Sequence, residues 1–373
     1  MACVCVDVRN LAAGLVVLVL AGCGSAPGKA VVSSTPATSG PASQAREASP
    51  SASQPGASAG AWNLPVAIST GSATAQGGFV SLLEGAFSSD PSATLANSTV
   101  GRPSLKGTWP RTNFAMFPSY DTQLGRWVPV SLQQLTPDGK QYAYAEWVMP
   151  TGPVQGPTPP SEIRIHVVDV ASAADRTVYT TNKLLLSVVA YELDGIYVTN
   201  QCWEGCGDVG GLWLLDPSTS QLKVILARDA DHTDWRWMTD GFVWGMGPWG
   251  PTSIATTVFR LDLSTGAVTP WFTPSKSVDV VAVDAQGFPL VETQDPYSGA
   301  VELWDATSSS AGTRIFASST VVHFGSAISG PCGTWIGSTS GLYELVPGGS
   351  LEKVQTAMLP PGGLEVTGTC VAA

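Results

Sequence analysis

Charge is scarce in this chain. Of its 373 residues, 13% are Asp, Glu, Lys or Arg, and only three are His. A chain so thin in charge has little with which to cover long surface helices, and no long amphipathic stretch is present. Its 18 basic residues form no stripe and face 29 acids, for a net charge of −11. That excludes nucleic acid as a partner, because nothing neutralises phosphates. Catalytic signatures are missing too: there is no Gly-x-Ser-x-Gly elbow, no His-Glu-x-x-His helix and no phosphate loop. The apolar run Leu11–Leu20 is too short to span a bilayer.

Turn chemistry is abundant, with 40 glycines and 28 prolines. Gly211–Leu226 reads as strand, tight turn, strand, with Asp216 just before the turn. An Asp there can accept the backbone N–H groups ahead of it. The pattern returns with Asp121, Asp169, Asp262 and Asp305, and with Val346 in the Asp place. Successive spacings are 48, 47, 46, 43 and 41 residues. A second register lies upstream of these turns at Gly139, Gly195, Gly241, Gly287 and Gly333, three of them preceded by Asp, a strong hairpin dipeptide. Two hairpins in 40–50 residues make about four strands, the signature of a propeller blade. Ordinary turn spacing in an all-β sandwich is the competing reading, and two registers with one period argue against it. The fold expected is an all-β propeller of six blades, the alternative being seven with Trp62–Thr70 contributing a partial one. The unit around Asp121 lacks a Gly-type hairpin and hence an innermost strand. The lone strand Leu364–Cys370 is expected to fill such a gap and close the ring.

Leu135–Tyr144, with its Thr136-Pro137-Asp138-Gly139 core, resembles the repeat of TolB-like propellers. The match is close in that blade only; the others keep the Gly and lose the Thr-Pro-Asp. The resemblance implies a periplasmic or surface propeller and brings no catalytic residue with it. Leu20-Ala21-Gly22-Cys23 resembles the lipobox of bacterial lipoproteins, in which small residues admit the peptidase and the Cys thiol takes the lipid. Arg9 is the only base ahead of the apolar run and Asp7 opposes it; a start at Val8 would remove that conflict. The expected organisation is a signal peptide over 1–22, a lipidated Cys23 with a Ser/Ala/Pro/Gly tether to 60, and a propeller over 61–373. A flexible tether of that length reaches roughly 30–36 Å.

Cys3 and Cys5 leave with the signal peptide, and four cysteines remain beside Cys23. In an exported chain an even number reads as disulfides. Cys202 and Cys206 would staple one loop, leaving Cys332 for Cys370. No His stands at metal-ligand spacing from them, so no metal site is expected.

Blade geometry puts the second-to-third-strand loops and the inter-blade loops on one face, and here those are the long ones. That face is where a ligand would bind. It offers Trp203, Trp235, Trp249 and Tyr297 as flat apolar surfaces, with Glu204, Asp231, His232, Asp234 and Asp295 as polar partners. Trp203 and Trp249 acting as mere channel plugs is the competing reading. Asp229–Trp235 is dense in carboxylates and keeps Ca²⁺ open as a cofactor, although it lacks the Gly and terminal Glu of an EF-hand loop; a solvated loop is the plainer reading. His166 and His323 sit in apolar runs and read as packed or edge residues. Two functions survive. One is a monomeric, membrane-anchored binding module for an envelope protein, peptide or glycan, without catalysis or cofactor. The other is a propeller lyase, lactonase or hydrolase working through loop carboxylates.

Overall fold

The computed structural model describes residues 62–71, 74–96, 118–150, 159–201, 210–228, 233–248, 254–309, 312–346, 349–354 and 363–373. They lie within one compact unit, Gln54–Ala373. In chain order the strands are β1 (Trp62–Gly71), β2 (Thr74–Ser81) and β3 (Phe87–Ala96); the hairpin β4 (Ser119–Asp121) and β5 (Arg126–Val128); then β6 (Gln141–Val148), β7 (Glu162–Asp169) and β8 (Asp175–Thr181). Next come β9 (Leu186–Glu192), β10 (Gly195–Asn200), β11 (Leu212–Asp216) and β12 (Gln221–Leu226). They are followed by β13 (Asp234–Thr239), β14 (Phe242–Gly247), β15 (Thr257–Asp262) and β16 (Val268–Phe272). The chain continues through β17 (Ser277–Val283), β18 (Pro289–Gln294), β19 (Val301–Asp305) and β20 (Thr313–Ser318). It ends with β21 (Phe324–Gly330), β22 (Gly333–Ser338), β23 (Gly341–Val346), β24 (Ser350–Val354), β25 (Leu364–Val366) and β26 (Val371–Ala372).

These strands form successive antiparallel sheets, and the fold is a β-propeller. Four blades, from β9 to β24, are complete four-stranded meanders. In the β6–β8 blade the innermost place is taken by a single 3₁₀ turn, Leu132–Gln134, whose following Leu135 bridges to Tyr142. Neighbouring sheets touch through their innermost elements: the 3₁₀ turn meets β9, then β9 meets β13, β13 meets β17, β17 meets β21 and β21 meets β25. β4 touches both β1 and the 3₁₀ turn, so the series returns on itself.

The C-terminal strand closes the ring, with a different partner from the one the sequence suggests. β25 pairs with β1 through Val66–Val366 and Ile68–Leu364, and β26 continues along the same edge. The result is a full sheet of β25, β1, β2 and β3. β3 reaches Ala96, where the sequence reads an unpatterned connection from Ser88; Ser88 and Ser89 are exposed on this outer strand, so no apolar alternation marks it. The β4–β5 hairpin stands alone as a two-stranded sheet between this blade and the β6–β8 blade. Both blade counts thus have a counterpart among the described residues: six sheets of three or more strands, and a seventh of two.

Burial follows radius. β10 is buried at every position, whereas the outer strand β12 alternates with exposed Gln221 and Lys223. A strand covered on both faces carries a nearly continuous apolar run, and the outer strand carries the polar residues. Tryptophans tie blade to blade. The indole N–H groups of Trp147, Trp237, Trp244 and Trp271 donate to the carbonyls of Leu186, Val280, Gly287 and Ala306, each in the next sheet.

Both turn registers are visible. The five expected glycines all have positive φ, the region L side chains avoid. Asp121, Asp169, Asp216 and Asp262 accept backbone N–H groups in their turns. Asp305 does not among the described residues: its connection to β20 is too long for a tight turn, and its Oδ1 is buried with no partner among them. Asp295 makes such a turn instead, accepting from Tyr297 and Ser298.

Candidate functional site

The inner strands share an irregularity that creates the site. β9, β13, β17 and β21 each carry a bulge where they pair with the second strand of their blade, at Val189, Arg236, Val281 and Gly325–Ser326. A bulge adds an unpaired residue and re-aims side chains. Arg236 and Gly325–Ser326 lie toward the strand starts, the long-loop end of the ring, Val189 lies in mid-strand and Val281 just beyond it. Together they surround an axial cavity of about 280 Å³. Its wall includes Ser187, Val188, Trp235, Trp237, Asp279 and Phe324, with Gln133 and Gln134 from the 3₁₀ turn. Gln133 reaches across the axis, and its Oε1 accepts the Met238 N–H at 3.0 Å. A second cavity of about 290 Å³, lined by Asp121, Gln123, Thr369 and Glu192, lies toward the tight-turn end. Gln133 lines both and stands between them.

The polar heart of the upper cavity is one guanidinium held by two carboxylates. Arg236 Nε donates to Asp234 Oδ2 at 2.8 Å and its Nη1 to Asp279 Oδ1 at 3.1 Å. Asp234, 3% exposed, also accepts from Gln201 Nε2 at 3.0 Å. Burial opposes the charge on Arg236, but Asp234 and Asp279 outweigh it and raise the group further. Burial likewise pushes Asp279 up, against the pull of Arg236. Asp279 pairs across β17–β18 with Glu292, which is raised by burial while accepting from Phe324 N–H at 2.7 Å and facing His323 Nδ1 at 3.2 Å. Glu365 on β25 packs onto Gly325 of the cavity wall; burial raises its carboxyl to about 7.

Glu365 gives a pH prediction. Its ordinary value is 4.5, so between about pH 4.5 and 7 the folded chain holds a proton that the unfolded chain has lost. Its contribution to stability therefore falls as pH rises through this window and stays low above it. Glu365→Gln removes that dependence. Urea melts should find the variant more stable than the native protein by about 2 kcal/mol at pH 8 and equal to it at pH 4. An equal gap at both pH values would contradict the assignment.

The residues expected at the ligand face divide three ways. Trp203, Glu204, Asp231, His232 and Trp249 lie outside the described residues, as do Cys202 and Cys206 and the core of the Asp229–Trp235 loop. Asp234 and Trp235 stand at the cavity, the former as the buried anchor of Arg236 and the latter as wall. Asp295 caps its own turn and Tyr297 is 98% exposed; neither lines the cavity. Cys332 and Cys370 form a disulfide. Among the described residues, no group of three His, Cys, Asp or Glu could hold a metal ion.

Arg236, Asp279, Glu292, Glu365 and Gln133 escape sequence reasoning, because each sits in an ordinary strand or turn and they converge only around the axis. His166, read from the sequence as a packed or edge residue, is packed. It is buried between Asp175 Oδ1 at 2.9 Å and Glu146 Oε2 at 3.2 Å and stacks on Tyr144. Tyr144 donates to Asp175 Oδ2 at 2.9 Å, and burial and Asp175 raise its phenol. Of these, only the cross-strand pair Tyr144–His166 could have been found by aligning the two strands on their hairpin.

No protein-family model and no curated protein matches this sequence. Among solved structures, the chain is similar to the periplasmic gluconolactonase of Pseudomonas aeruginosa, at 15% identity and a TM-score of 0.40, covering 79% of this chain and 82% of that one. It is also similar to dipeptidyl peptidase 4 of Porphyromonas gingivalis, at 13% identity and a TM-score of 0.39, over 60% of this chain. It spans 36% of that peptidase. The propeller assignment rests on the sheets themselves.

Proposed function

We propose that this protein is a lipid-anchored, extracytoplasmic binding module whose ligand enters the axial cavity from the long-loop end. One observation carries the binding part: bulges in four successive blades, one of them bearing an ion-paired guanidinium, line a cavity together with the amides of Gln133, Gln134 and Gln201 rather than packing it shut. Rigid strands supply convergent polar groups within an apolar wall, the usual make-up of a ligand seat. The lipobox-like Leu20–Cys23 and the polar tether support the anchor. The Cys332–Cys370 bridge fits an oxidising compartment. The partner is an envelope protein, peptide or glycan that presents a small polar end to the cavity.

The Cys23→Ser variant tests both halves. It should leave the membrane fraction, and the released protein should still bind. A panel of sugars, amino acid amides and short peptides is scanned by thermal shift, where a ligand at 100 times its Kd should raise Tm by about 4 °C. Membrane retention of the variant would reject the anchor. A panel without a single shift would reject the binding seat.

A catalytic reading has one observation in its favour. Glu365, held near neutral pH beside the cavity wall, has the poise of a general acid or base. Turnover of a lactone or glycoside by the native protein, abolished in Glu365→Gln, would establish it.

A further inference from the structure

Three charged groups decide what the cavity takes. Arg236 is shared between Asp234 and Asp279, so the trio carries one negative charge more than it neutralises. Asp234 is satisfied on both oxygens, by Arg236 and Gln201. Asp279 gives one oxygen to Arg236, and its side chain remains half exposed, at 50%, toward the cavity it lines. Among the described residues of the wall, Asp279 is the only carboxylate and Arg236, already held twice, the only cation. The wall also holds the rings of Trp235, Trp237 and Phe324, whose π faces favour a cation.

We propose, building on the binding reading above, that the cavity takes a small organic ammonium, its amine on Asp279. The size agrees: about 280 Å³ is roughly nine water volumes, the scale of one sugar ring or one amino acid. The electrostatics agree as well. Asp279 faces the cavity yet lies deep inside the ring, and the protein around it holds its carboxyl above the ordinary range although Arg236 stands beside it. A second cation at its other oxygen would relieve that cost, whereas an anion would add to it. Low-dielectric walls focus the field of the trio onto the axis and strengthen the preference.

Amino sugars and amino acid amides share this chemistry, and matched pairs separate them. Calorimetry on the native protein compares glucosamine with glucose and gluconate, and alaninamide with propionamide. At least one amine should bind tenfold or more tightly than its neutral counterpart, with gluconate weakest. Asp279→Asn, which keeps shape and removes charge, should reduce amine affinity at least tenfold and leave glucose and propionamide unchanged. Raising salt should weaken the amine alone. Glucose or gluconate binding as well as glucosamine would overturn the ammonium assignment while leaving the binding seat intact. So would amine binding that survives Asp279→Asn. Binding by none of the five probes would reject the ammonium assignment, and the broader panel would then decide on the seat itself.

Discussion

Replacing Cys332 and Cys370 with serine is expected to lower the unfolding free energy by about 4 kcal/mol. The bridge spans 38 residues of sequence. On the chain-entropy argument, a loop of that length removes about 4 kcal/mol of disorder from the unfolded chain. For the compact unit Gln54–Ala373, 320 residues long, this corresponds to a Tm about 6 °C lower. The native state loses more than a crosslink. Cys370 lies just before β26, on the segment that completes the sheet of β1, and Cys332 lies in the β21–β22 turn of the adjacent blade. Without the bridge, the closing strand is held by backbone pairing with β1 and by the core of Leu64, Val66, Leu364, Val366 and Trp335. Thermal melts of the double variant, and of the native protein with and without a thiol reductant, measure the effect. Melts that coincide within a degree would show that the closure does not depend on the bridge.

Gly337→Ala should cost a comparable amount by a steric route, about 3 kcal/mol. Gly337 sits on β22, where the closing strand passes over it. A Cβ there would overlap the Leu364 carbonyl and lie 2.9 Å from the Glu365 Cα. Both obstacles are backbone, so no side-chain rotation relieves them. Gly337 pairs with Leu342 inside the sheet, and the blade behind it cannot retreat. The strand carrying Leu364 must then lift away, and the ring opens at its seam. In the background lacking Cys332 and Cys370, the same substitution should cost less than it does alone, because both changes act on one strand. Urea melts of the four proteins give that coupling. A Gly337→Ala protein as stable as the native one would mean that β25 is not seated on β22.

The two turn registers were legible because each obeys a local rule. Gly139, Gly195, Gly241, Gly287 and Gly333 need positive φ, and Asp216 and Asp262 bind their own turns, so each leaves a mark within a few residues. The pairing of Cys332 with Cys370 followed from counting cysteines and placing two strand ends on one face. β3 and the pairing of β1 with β25 left no such mark. β3 is a polar outer strand, and an edge can accept any strand of suitable register.

The site was the least legible part. Local composition pointed to the loops that carry Trp203, His232 and Trp249. The described polar network lies mainly on the inner strands, at Asp234, Arg236, Asp279 and Glu365, with Glu292 on the second strand β18; of these only Asp234 was among the residues expected. By itself the sequence determined the repeat, the all-β propeller, the turns at Asp121, Asp169, Asp216 and Asp262 though not the one expected at Asp305, and the disulfide between its last two cysteines, because those depend on contacts within a hairpin or on a small count. Tertiary structure decided which strand closes the ring, where the bulges fall and which charges meet at the axis. Arg236 meets Asp279 from 43 positions away and Val66 meets Val366 from 300 away (366 − 66), brought together by blades packing side by side, and no local pattern records which inner-strand side chain will face the channel.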